Sequence, residues 1–185
     1  MRRSIAVEKD RAKRIIIEVI RQAGGSFERK TNLYKAFYHA HLKYAGDNPG
    51  YLSRWPIVRM PNGPGIDNFD SLVGELLLTG VLHVGTVMIG DKEAVRFELT
   101  VLADSVLPME DAERGAIKFG VDSVAGKTAK QVSKESHDTS RAWRAARDGE
   151  ELDIYADLSS DEEHDAFSKE YDSISTTIDA VFGSI

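Results

Sequence analysis

The chain has 185 residues, of which 42% are hydrophobic and 29% charged, with no cysteine and a formal net charge of −6. This is the composition of a globular chain long enough to bury a core; it excludes disulfides, thiolate metal sites and a wholly disordered polymer. The basic start, Met1-Arg2-Arg3-Ser4, leads into only three apolar residues before Glu8, short of the roughly 7–15 of a signal peptide, and no later stretch reaches the roughly 18 of a membrane span, so a cytoplasmic protein with no membrane partner is expected.

Apolar residues recur at helical spacing from Val7 to Ala23 (Ala12, Ile16, Val19, Ile20), with Lys and Arg between them, and Gly24-Gly25 ends this first helix. A second helix is predicted over Lys30–Ala45, where Leu33, Phe37 and His41 share a stripe and Tyr34 and Tyr38 stand beside it. Gly46–Gly50 reads as a turn. From Tyr51 to Ile66 the prediction is irregular chain, because Pro56, Pro61 and Pro64 break helix and strand alike; its apolar residues, Trp55 among them, are expected to pack on the core. Phe69, Leu72, Val73, Leu76 and Leu77 form a third helical stripe with Asp67 as N-cap and Gly80 as terminator. A β-hairpin follows: Val95, Phe97 and Leu99 alternate with charged residues, 81–87 supply the partner strand, and Gly90-Asp91-Lys92 the turn. Helices are then predicted over Met109–Val124, from Ala129 to about His137 behind a Thr128/Gln131 capping box, and over Ser140–Arg147. From Ser160, Phe167, Tyr171, Ile174, Ile178 and Val181 make a last apolar seam, which either packs on the chain's own core or joins two copies as a homodimer. The sum is a mainly α (α+β) protein. Residues 1–158 form a compact helical domain with one wing-like hairpin after the third helix, and 159–185 an amphipathic C-terminal helix.

Two strings imitate enzyme motifs and fail on geometry. Gly120 to Thr128 ends like a phosphate-binding loop, but five residues separate its glycines where four are needed, and a helix precedes it in place of a strand. Ser136-His137-Asp138 has the members of a catalytic triad, yet neighbouring helical side chains diverge by about 100° and cannot orient one another. His39 and His41 do not share a helix face, and His83, His137 and His164 are scattered. No catalytic set, metal site or cofactor is expected.

Charge is unevenly distributed. Residues 1–60 hold 13 Lys/Arg and 5 Asp/Glu, a net of +8, and the remainder nets −14. This split fits either a basic partner-binding face, with Arg11, Lys13, Arg14 and Arg21 along the first helix, or an internal match between the two ends. Nucleic acid is the weaker partner choice, because the helix before the hairpin, Phe69 to Thr79, has no basic residue with which to neutralise phosphate.

The order of several motifs resembles one family. Leu33-Tyr34-Lys35-Ala36-Phe37-Tyr38 looks like the "LLYFA" helix of the SocA-like antitoxin, or Panacea, domain. Met60-Pro61-Asn62-Gly63-Pro64 is similar to its Gly-Pro turn, Thr128–His137 to its "LS…SH" stretch, and Ala142-Trp143 stands where the family tends to have tryptophan. The altered register at Phe37-Tyr38, Gly65 in a place where a small apolar residue is commoner, and the charged C-terminus depart from the pattern. The resemblance implies a bacterial or phage antitoxin that neutralises a cognate protein toxin by direct binding, with a protease as second partner where it acts as a proteolytic adaptor. It also implies a partner-binding surface containing Tyr34, Phe37, Tyr38, Trp55, Asn62, Gly63, Pro64, His137 and Trp143. The alternative from the elements alone is a winged-helix-like DNA-binding regulator.

Overall fold

Helix α1 (Ile5–Gln22) starts where the Ser4 hydroxyl accepts from the Val7 amide, one of the amides that a helix start leaves unpaired. It stops where Gly24 and Gly25 take φ of +91° and +88°, conformations that cost glycine little. These residues belong to a computed structural model that describes residues 4–159. The amphipathic helix expected from Ser160, and its use in packing or self-association, lies outside the described residues. Among the described residues, no helix is long and apolar enough to cross a membrane.

After a short strand β1 (Ser26–Glu28) comes α2 (Lys30–Asp47). A hairpin of β2 (Ile57–Met60) and β3 (Gly63–Ile66) precedes α3 (Phe69–Leu78). A longer hairpin follows, β4 (Leu82–Ile89) and β5 (Lys92–Leu99), with Gly90-Asp91 between the strands. A 3-10 turn (Val101–Ser105) leads to α4 (Asp111–Val124), α5 (Ala129–Thr139), the short α6 (Arg141–Ala145) and a last 3-10 turn (Ile154–Asp157). The fold is a mixed α+β arrangement with two small antiparallel sheets, ordered β1–β5–β4 and β2–β3.

The structure corrects two expectations. Residues 57–66 are a regular hairpin, not irregular chain. Pro64 is tolerated in β3 because it lies opposite Arg59, whose own amide and carbonyl face the other way, to Glu150 and Gly149. At that position the β3 amide is not needed by β2, so a residue without an N–H costs nothing. The N-cap of α3 is Asn68, not Asp67. Asn68 takes the left-handed conformation (φ 47°, ψ 33°), which asparagine tolerates, and its side-chain amide donates to the Asp67 carboxylate at 2.7 Å, engaging the predicted cap.

Helix α2 is surrounded. Leu33, Ala36, Phe37, Tyr38 and Ala40 are all within 1% of full burial, and α4 covers one side. That approach depends on Gly120, where a Cβ would overlap the Ala36 carbonyl oxygen. The cations of α1 are engaged internally: Lys9 and Lys13 on Glu75 of α3, Arg11 on Glu113 of α4, Arg14 on the Pro108 carbonyl and Arg21 on Glu18 and the Ala103 carbonyl. The α1 cations thus have partners inside the fold, but their carboxylates, Glu18, Glu75 and Glu113, lie in α1, α3 and α4 and not at the acidic end of the chain.

Gly120→Val is expected to destabilise the fold by roughly 1–3 kcal/mol, the cost of forcing a side chain into a packed contact. An unchanged urea midpoint would show that the helices can part without cost.

Candidate functional site

The site grows from one buried cation. Lys35 faces inward from α2 with 1% of its surface exposed. Its Nζ donates to the Pro64 carbonyl of β3 at 2.7 Å, and burial pushes its pKa down to about 7, because a desolvated ammonium is disfavoured. Directly above it Gly63 follows the Pro61-Asn62 turn with φ +95°, and a Cβ there would overlap both Lys35 Nζ and Ser136 Oγ. Glycine is required on both counts.

Two further contacts fasten the hairpin to α6. The Trp143 indole donates to the Met60 carbonyl at 2.9 Å. Arg59 lies 4.3 Å from the Trp143 ring centroid, a cation–π distance, while its guanidinium donates to the Trp143 and Ala146 carbonyls at 3.0 and 2.6 Å. His137 stacks on Trp143 with 3.9 Å between centroids and 9° between planes. Burial first, then the positive Lys35, hold the His137 pKa below its ordinary value. Its Nε2 is buried without a partner among the described residues.

The structure therefore brings together Asn62, Gly63, Pro64, His137 and Trp143, although up to 81 positions separate them in the chain. Asn62 is exposed and His137 and Trp143 half-buried, whereas Gly63 and Pro64, expected at the surface, are buried beneath the turn against Lys35 and Ser136. The other predicted contacts lie elsewhere. Phe37 and Tyr38, at 0% and 1% exposure, are corrected from surface to core. Phe37 packs on the His41 ring, and the Tyr38 hydroxyl donates to Asp157 at 2.5 Å. They are buried because α2 is covered on all sides, leaving no aromatic stripe for a partner. Tyr34 packs edge-on against Phe69 with Lys30 nearby. Trp55 donates to the Asp67 carbonyl at 2.8 Å and borders a separate cleft of about 520 Å³ with Tyr51, Arg54 and Tyr155.

Lys35, Arg59 and Ser136 belong to the cluster; none is among the expected contacts, and Ser136 stands out in the sequence only within the Ser136-His137-Asp138 string. A signal existed for Lys35: it is the one cation between positions 31 and 42, where apolar side chains cover more of the helix circumference than one face can hold. Among the described residues no three His, Asp or Glu side chains converge as a metal-binding set. No protein-family model, curated protein or solved structure matches this chain.

Two pH dependences follow from buried bases. His41, bonded to Phe37 O and Ser53 Oγ at 2.8 Å each, is held near 4 chiefly by burial. The unfolded chain binds the extra proton first, so stability is lost as pH falls from about 6.5 toward 4, by up to ~3 kcal/mol. Lys35 acts in the same sense at higher pH: protonation favours the unfolded chain between about 7 and about 10.5, so the urea midpoint rises across that window. Lys35→Met is expected to flatten the alkaline rise while the His41 part of the acid limb, which owes nothing to Lys35, persists. An equally steep alkaline rise in the variant would assign the effect to another group.

Proposed function

We propose that this chain is an antitoxin-like protein-binding domain of a bacterial or phage toxin–antitoxin system, neutralising a partner toxin by direct contact. The observation that carries the reading is the convergence of the hairpin tip with the α5–α6 segment. Three of the motifs in the resemblance meet there: Asn62-Gly63-Pro64, Ser136-His137 and Trp143. A surface suited to a protein partner needs a fixed backbone, since ordering it on binding subtracts from affinity. Lys35, Trp143 and Arg59 supply that fixing through bonds to Pro64, Met60 and Ala146 carbonyls. A tryptophan and a histidine, half-buried and stacked on each other, offer apolar ring surface of the kind such a contact uses.

A DNA-binding winged-helix-like regulator is the second reading. It is favoured by the strand order β1–β5–β4, with the β4–β5 hairpin directly after α3 in the position of a wing. In that reading α3 would meet the duplex, yet its exposed residues are Asp70, Ser71, Leu77 and Leu78, and its Glu75 already binds Lys9 and Lys13. The α1 cations that could grip phosphate are engaged inside the fold.

Co-expression with the product of the neighbouring small gene tests the first reading. Growth arrest by that product alone, relieved by this chain, is expected, with the two proteins co-purifying. Asn62→Arg, at an exposed turn, should impair the relief while changing stability by about 0.5 kcal/mol or less. A neighbour harmless on its own would overturn the antitoxin reading. A duplex gel shift at low salt that fades steeply with added salt would select DNA binding; no shift is expected.

A further inference from the structure

Between the hairpin tip and α5 lies a cleft of about 420 Å³, lined by Thr31, Asn62, Lys130, Ser133, Lys134 and His137. The α5 members stand at spacings of three and four, so they form one face of the helix. Lys130 and Lys134 are exposed. Lys134 is bonded to Asp138, whereas no described residue forms an ion pair with Lys130. The remaining lining is the Ala129 methyl, two hydroxyls, a side-chain amide and an imidazole; the hydroxyls and the amide can donate hydrogen bonds. Gly63, next to Asn62 in the hairpin turn, packs against Lys35 Nζ, which is only partly protonated near neutral pH.

The acidic groups nearby are already engaged: Glu135 with Lys127 at 2.8 Å and Asp138 with Lys134. The local field is positive. After burial, His137 is held toward the neutral form by Lys35, with Arg59 adding to it and Asp138 opposing; His39 is held so by Lys35 and Lys127, with Glu135 opposing. In a chain of net charge −6, this cleft is a local positive site with hydrogen-bond donors at its walls.

We propose that the cleft docks an acidic segment of a partner protein, with a side-chain carboxylate seated between Lys130 and Lys134. Lys130 and Lys134 stand one helical turn apart in a concave site, and a carboxylate there would pair with Lys130 and share or displace Asp138 at Lys134. A nucleic-acid backbone needs a continuous cationic track, and the turn at Asn62 closes one side. Thr31, Ser133 and Asn62 are placed to bond the backbone of the same segment. The inference rests on the protein-binding reading and adds the chemistry of what is bound.

The test uses the full chain and a labelled hexaglutamate peptide, with hexaglutamine, hexalysine and an oligothymidylate as comparisons. Hexaglutamate alone should bind, and binding should weaken with salt. Lys130→Glu with Lys134→Glu should lower its affinity by about tenfold, as reversal of two rim charges does, with only a small fall in thermal unfolding temperature from loss of the exposed Lys134–Asp138 pair. No hexaglutamate binding, equal binding by the variant, or preferred binding of the oligothymidylate would each overturn the proposal. Capture of the co-expressed partner separates the two claims. Wild type and variant capturing it alike would remove the acidic cleft and leave the protein-binding reading standing. Lysine-dependent peptide binding with no partner captured would keep the cleft and remove the antitoxin reading.

Discussion

The structure depends on an α2 that is buried around its circumference while carrying polar side chains. A buried polar group without a partner costs about 1–3 kcal/mol, and four of these side chains each find one in a different connecting segment, although the Asn32 side-chain oxygen stays unpaired among the described residues. The Asn32 amide donates to the Lys127 carbonyl between α4 and α5. Lys35 holds the β2–β3 hairpin, Tyr38 holds Asp157 in the last 3-10 turn, and His41 holds Ser53 in the loop before β2. One helix thereby fixes four stretches of chain that lack a regular packing face of their own. Asp157 extends this role: its carboxylate also accepts from Ser140 Oγ and the Arg141 and Ala142 amides, anchoring the start of α6 and with it Trp143.

The same economy governs charge. The basic face of α1 meets Glu75 and Glu113 within the fold, which leaves it little to offer a polyanion. Exposed positive charge without an internal partner is found on α5 at Lys130, beside the hairpin tip. Electrostatics thus points at the surface where the family resemblance converges, although the two arguments start from different residues.

The enzyme-like strings are absorbed by local structure. Gly126 takes φ +70° just after α4, and Thr128 caps α5, its hydroxyl accepting from the Gln131 amide and the Gln131 side chain accepting from the Thr128 amide. Ser136, 1% exposed, donates to the Ser133 carbonyl, His137 stacks on Trp143 and Asp138 binds Lys134. The three side chains of that triplet are committed in three directions.

What the sequence determined alone was whatever is decided within a few residues: the helix stripes, the Thr128 capping box, the glycine terminators and the alternation of β5. Those signals are local because a helix bond spans four residues and a cap three. The β2–β3 hairpin was not legible, since whether Pro64 can stand in a strand depends on which of its edges needs an amide. Nor was the fate of Phe37 and Tyr38, because periodicity describes one face of a helix and cannot say that its neighbours close over the others. The gathering of Asn62, His137 and Trp143 around Lys35 was likewise set only in three dimensions. There, a lysine that could not reach water had to find the Pro64 carbonyl, and that bond brought the hairpin tip to the surface of α5.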